Sequence, residues 1–194
     1  AGDAIDDVCP VALPEPLAPL VAAERAGVAI DVARLDAAFA RLTQGRDAVV
    51  VEGAGGLLVP ITRTMAYDQL FRRWQLDLVI VAANRLGAIN HTLLTVRAAR
   101  EAGLLVRGVV LNDAFSEGDD LVERTNAEVL QALLPDVRIY RFPLVARPLD
   151  LGALAVAAGH VGLHAFLPAA EEPAQTAPPL THDRSNDFSD DVRI

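Results

Sequence analysis

Residues 48–56 read Ala-Val-Val-Val-Glu-Gly-Ala-Gly-Gly, an apolar run that ends in one carboxylate and four residues too small to shield their own backbone. Gly53, Gly55 and Gly56 leave peptide N–H groups open to phosphate oxygens, and Glu52 can hold a magnesium ion directly or through water. The same pattern also describes a tight strand-to-loop turn capped by an acid. A second segment, residues 84–95, reads Asn-Arg-Leu-Gly-Ala-Ile-Asn-His-Thr-Leu-Leu-Thr. Its Leu86, Gly87, Ala88, Ile89 and Asn90 precede or open a helix, whose unpaired N–H groups and positive dipole end suit a carboxylate. His91 is either a further contact for such a carboxylate or a packed interface residue. Asn112-Asp113 offers an amide with both donor and acceptor, or simply a strand-ending turn. Pro143-Leu144-Val145 closes a fourth apolar stretch.

Parallel strands buried on both faces read as short continuous apolar runs, and ligands collect beyond their carboxyl ends. Four such runs are predicted: 48–52, 78–83, 108–111 and 137–142. Between them the spacing predicts helices at 16–25, from an Asp31 cap to Leu42 with Val32, Leu35, Phe39 and Leu42 on one face, at Tyr67–Trp74, and from an Asn90 cap to about Ala102. Phe71 and Trp74 read as packing residues, and Ala1 to Pro19 is mostly acid- and proline-rich loop. Alternation of strand and helix to Gly162 gives an α/β fold, a parallel sheet with helices on both faces.

Taken in order, Glu-Gly-Ala-Gly, Leu-Gly-Ala-Ile-Asn-His, Asn-Asp and Pro-Leu-Val, with Glu15-Pro16-Leu17-Ala18-Pro19 ahead of them, resemble the dethiobiotin synthetase family from about Pro10 to Gly162. Glu-Gly-Ala-Gly alone also suits cobyrinic and cobyric acid synthases of the same P-loop ATPase group. The resemblance implies a P-loop NTPase type of fold and an ATP- and Mg2+-dependent ligase of biotin biosynthesis. Such an enzyme closes the ureido ring of 7,8-diaminopelargonate with carbon dioxide or bicarbonate. It implies Glu52 as a magnesium-site carboxylate, Gly53, Ala54 and Gly55 lining the nucleotide, Asn112 on the adenine edge, and Asp113 with Pro143, Leu144 and Val145 flanking the base. It also implies a homodimer in which Leu86 to Asn90 receives the substrate carboxylate of the neighbouring subunit. Leu20, where the family often has histidine, and Arg147-Pro148 depart from its pattern.

The resemblance further calls for a first strand, a phosphate loop ending in Gly-Lys-Thr, a second lysine and a magnesium-binding aspartate. None is in the sequence, and all 17 basic side chains are arginine. A phosphate-loop lysine neutralises the β- and γ-phosphates at fixed distance, which a bulkier planar guanidinium does not reproduce. The expectation is an N-terminally incomplete family member with no catalytic residue of its own, inactive alone. The alternatives are a cobyrinate-type ATPase domain or a non-catalytic dimerising partner.

Composition points the same way. Hydrophobic residues make up 52% of the 194, aromatic ones 5%, so one aliphatic core and a single domain over 1–167 are expected. A net charge of −9 with no basic cluster argues against nucleic acid and anionic membranes, and only strand-length apolar runs occur, so a cytoplasmic location is expected. Cys9 is the single cysteine, which excludes an internal disulfide and reads as a small loop residue. Residues 168–194, rich in proline, alanine and acids, are expected to be a disordered tail.

Overall fold

Three of the apolar runs pair into a parallel sheet of order β3-β4-β5, formed by Leu78–Ala83, Val106–Asn112 and Ile139–Phe142. This is a computed structural model, and it describes residues 4–114, 121–146 and 150–167. The tail expected from residue 168 and the departures at Arg147 and Pro148 lie outside the described residues. Helices α5 (Ala88–Glu101) and α6 (Leu121–Leu133) cover one face of the sheet. There Ile80, Val109 and Leu111 meet Val96, Leu130, Leu134 and Val137. Fully burying one such side chain contributes about 1.5–3 kcal/mol, so this layer is the main stabilising contact of the strands. On the other face, helix α7 (Leu151–Val161) and a 3-10 turn at Leu163–Phe166 lie against β5 and β4. The α/β class with helices on both faces is therefore the observed one.

Alternation along each strand explains which residues meet which layer. Tyr140 and Gly108 face the 3-10 turn, where the Phe166 ring stands edge-on to Tyr140 at 5.0 Å. A Cβ built on Gly108 would lie 2.8 Å from that ring, so glycine is what lets the turn close on the sheet. Val79 and Val81 of β3 point to the same side but beyond the reach of that layer, and Val81 is 65% exposed.

The N-terminal part builds a second layer. Helix α3 (Val32–Thr43) starts at Asp31, whose carboxylate accepts from the Ala33 N–H at 2.9 Å. Its Phe39 stacks on Trp74 with ring planes 5° apart, and the Trp74 indole N–H donates to Asp36 at 2.7 Å. Trp74 closes α4 (Tyr67–Arg73), whose Phe71 is buried with Ala99 and Leu104. Both aromatics thus pack as expected. Short elements not anticipated are α1 (Ile5–Val8) and an antiparallel pair, β1 (Pro60–Thr62) with β2 (Met65–Ala66). Helix α2 (Pro19–Arg25) starts three residues later than expected because proline suits the first helical position, where its missing N–H has no partner to lose.

The main departure from the sequence reading concerns 48–52. This run has no regular secondary structure; it packs Val51 against the Phe71–Leu104 cluster, joins no ladder, and leaves Val50 87% exposed. A strand needs a hydrogen-bonding neighbour, and no described segment offers one. Among the described residues the edge of β3 away from β4 is likewise unpaired.

Candidate nucleotide-binding edge

Because β3, β4 and β5 run parallel, the segments that follow them gather along one edge of the sheet. Asn112 ends β4 and is paired with Phe142, the residue before Pro143. The Asp113 N–H donates to the Phe142 carbonyl at 2.9 Å, so Asn112, Asp113 and the start of Pro143-Leu144-Val145 are held together. Pro143, Leu144 and Val145 line an open groove of about 590 Å³ with Asp150, Val156, Ala157 and His160. The groove is bounded by the start of α7, where Asp150 caps the helix by accepting from Gly152 N–H at 2.9 Å and Ala153 N–H at 3.1 Å. Its apolar walls suit one face of a planar base. The α7 residues of this lining carried little local signal, since apart from His160 their helix is made of apolar residues and glycine.

Asn112 is half-buried, and its side-chain oxygen accepts from the Ala114 N–H at 3.0 Å. The amide therefore retains one acceptor lone pair and two N–H donors for a ligand. Asp113 is differently employed. Its Oδ2 accepts from Arg141 Nε at 2.7 Å and its Oδ1 from Asn84 Nδ2 at 2.7 Å. With both carboxylate oxygens engaged, Asp113 supports this edge from below.

Four buried polar residues meet at that point: Asn84, Asp113, Glu123 and Asn126. Asn84 Nδ2 also donates to the Glu123 carbonyl at 3.1 Å, and Asn84 Oδ1 accepts from Asn126 Nδ2 at 2.9 Å. Arg141 adds a looser contact to the Glu123 carboxylate at 3.8 Å. Sequence reasoning missed Asn84, Glu123, Asn126 and Arg141. The signals were an arginine inside the otherwise apolar Ile-Tyr-Arg-Phe strand and two polar residues three apart on one side of α6.

Leu86 to Asn90 follows β3 onto the same edge. Gly87, at φ 93°, is the N-cap of α5, and the helix begins at Ala88. Asn90 therefore lies within the first turn and is not the cap, because Gly87 can adopt the left-handed conformation that starts the helix earlier. Leu86 and His91 are exposed, Ala88 is buried and Ile89 half-buried.

Glu52, Gly53, Ala54 and Gly55 are not on a sheet strand. They follow Val51, which packs against the Phe71–Leu104 cluster, and turn into a compact loop, in which Gly55 has φ 92° and Val59 N–H donates to the Gly56 carbonyl at 3.0 Å. Gly53 fits against the Tyr67 and Phe71 rings, which a Cβ would approach to 3.3–3.4 Å. Glu52 is exposed, and no cluster of three or more potential metal ligands occurs among the described residues. A single carboxylate fits magnesium only in the way that ion is commonly held on nucleotides, with phosphate oxygens and water completing its octahedron.

Residues 1–139 match the family described as AAA domain. The chain belongs to this family. Within the AAA domain family its similar relatives include the ATP-dependent dethiobiotin synthetase of Anaeromyxobacter dehalogenans, 40% identical over 144 residues, or 74% of this chain and 62% of the relative. The proteins of the same name from Bacillus subtilis and Aquifex aeolicus are 36% and 35% identical. They align over 66% and 74% of this chain and 55% and 64% of their own lengths. The chain thus spans roughly three fifths of the curated relatives it matches. The resemblance to dethiobiotin synthetases read from the four strand-end motifs is borne out by these relatives. No described helix of this AAA domain protein is long and apolar enough to cross a membrane.

Proposed function

We propose that this chain carries the base- and substrate-side portion of an ATP- and Mg2+-dependent dethiobiotin synthetase, a ligase that carboxylates 7,8-diaminopelargonate and closes its ring. The observation that carries the reading is the juxtaposition of Asn112 with the groove of Pro143, Leu144 and Val145, on the same sheet edge as the start of α5. The Asn112 amide supplies the hydrogen bonds and the groove the apolar wall for adenine. The first turn of α5, with the N–H groups of Ile89 and Asn90 left for a ligand while that of Ala88 donates to the Arg85 carbonyl, supplies a seat for the carboxylate of a substrate bound to a second copy in a homodimer. Glu52 contributes the protein ligand to magnesium, and Gly53 to Gly55 line the nucleotide phosphates.

When bound, magnesium would supply charge neutralisation at those phosphates. The residues present bind and orient; they hold no ammonium group for phosphoryl transfer, since the 194 residues include no lysine. The test is a two-part assay. ATP binding is measured by calorimetry, and dethiobiotin formation is followed from diaminopelargonate, bicarbonate, ATP and Mg2+. The expected result is binding that weakens at least tenfold in Asn112→Ala, about 1.4 kcal/mol, with no product from the chain by itself. Product formed by the lysine-free chain, or ATP affinity indifferent to Asn112, would refute the assignment.

A further inference from the structure

Adenine and guanine differ at their edges in the order of donor and acceptor. An asparagine amide discriminates between them only if it cannot turn over, because a flipped amide exchanges its own donor and acceptor. In this chain the Asn112 oxygen faces the Ala114 N–H at 3.0 Å. Turning the amide would place its NH2 against that N–H, donor on donor. The lock holds as long as residues 112–114 keep their path, and that path is anchored at Asp113.

The anchor is a relay. Arg141 Nε holds Asp113 Oδ2 at 2.7 Å, Asn84 Nδ2 holds Asp113 Oδ1 at 2.7 Å, and Asn126 Nδ2 holds Asn84 Oδ1 at 2.9 Å. It ties the ends of all three strands to α6. Arg141 is its one half-exposed member, two residues before the groove at Pro143. We propose that Arg141 is a positioning residue for base selectivity: through Asp113 it fixes the 112–114 turn, and so the orientation in which Asn112 presents its amide. This rests on the reading of Asn112 and the groove as a base site and names what sets the preference there. Arg141 itself touches no base.

The probes are adenosine and guanosine, titrated against the 194-residue chain by ligand-observed NMR. The wild-type chain is expected to favour adenosine by about tenfold, the lower part of the range for one two-point base contact. Arg141→Met, which keeps the aliphatic stem, is expected to bring the two affinities to within about twofold of each other, by losing adenosine binding more than guanosine binding. Arg141→Lys keeps a cation near Asp113 and is expected to restore most of the preference, and it also serves if the methionine variant does not fold. Leu104→Ala, a core truncation in the Phe71 cluster, controls for general destabilisation and should leave the ratio unchanged. A methionine variant that keeps the preference, or a Leu104 variant that loses it equally, overturns the positioning role. A wild-type chain that binds neither nucleoside overturns the base site, and the positioning role with it, before any variant is compared.

Discussion

Asp113 and Glu123 are buried acids that share one guanidinium, so removing Arg141 costs more than an exposed ion pair usually would. Stripping a buried carboxylate of its charged donor costs about 1–3 kcal/mol, and we expect Arg141→Met to lose that much in urea unfolding. A midpoint equal to wild type would mean that Asp113 finds another donor. Trp74 offers a cleaner comparison. It is the only tryptophan, so its fluorescence reports the α3–α4 contact directly. Trp74→Phe keeps the stack on Phe39 but loses the bond to Asp36, an expected cost of about 0.5–1.5 kcal/mol in a chemical melt followed by circular dichroism. At Gly108 an added methyl meets Phe166 and Tyr140, and the expected cost of overpacking is about 1–3 kcal/mol. The cause is checked by coupling: Gly108→Ala should be much milder in a Phe166→Ala background, and equal costs in both would exclude the ring contact as the source.

Among elements, α5 separates local from tertiary signals. Asparagine is a good cap, and Asn90 precedes a well-spaced run of leucines, but the left-handed glycine three residues earlier starts the helix first. Asn90→Ala should therefore leave the thermal midpoint nearly unchanged, whereas Gly87→Ala, forced to φ 93°, should cost about 1–2 kcal/mol. A loss at Asn90 as large as that at Gly87 would move the helix start back to the position its sequence suggests. The strands show the same division. Leu78–Ala83 is legible as a strand because its run of six apolar residues fits burial on two faces. The run 48–52 has the same local character and is not one, because pairing is a property of the neighbour as much as of the sequence.

For the whole molecule the open flank of the sheet is the feature with consequences. Among the described residues β3 pairs on one edge alone, its Val79 and Val81 stand uncovered on one face, and Val50 is exposed elsewhere on the surface. Unpaired edges with apolar neighbours template association between chains. Sedimentation velocity should show concentration-dependent self-association of the 194-residue chain, reduced by Val81→Lys, since a charge on an exposed strand opposes edge-to-edge pairing. A cooperatively unfolding monomer at all concentrations would contradict this, and a mixture unaffected by Val81→Lys would place the association elsewhere.

The α/β class, the strands 78–83, 106–112 and 139–142 to within a few residues, the Asp31 cap, the packing of Phe71 and Trp74, and the likeness to dethiobiotin synthetases were all legible in the order of the residues. Those features depend on local periodicity, capping chemistry or short motifs, all written within a few residues of one another. That 48–52 joins no ladder, that α5 is capped by Gly87, and that Arg141 joins the buried Asn84, Asp113, Glu123 and Asn126 in one network came from the three-dimensional packing. Its members are spread over 58 positions, from 84 to 141. No spacing rule links them, because what brings them together is the parallel registry of three strands and the seating of α6 against their ends.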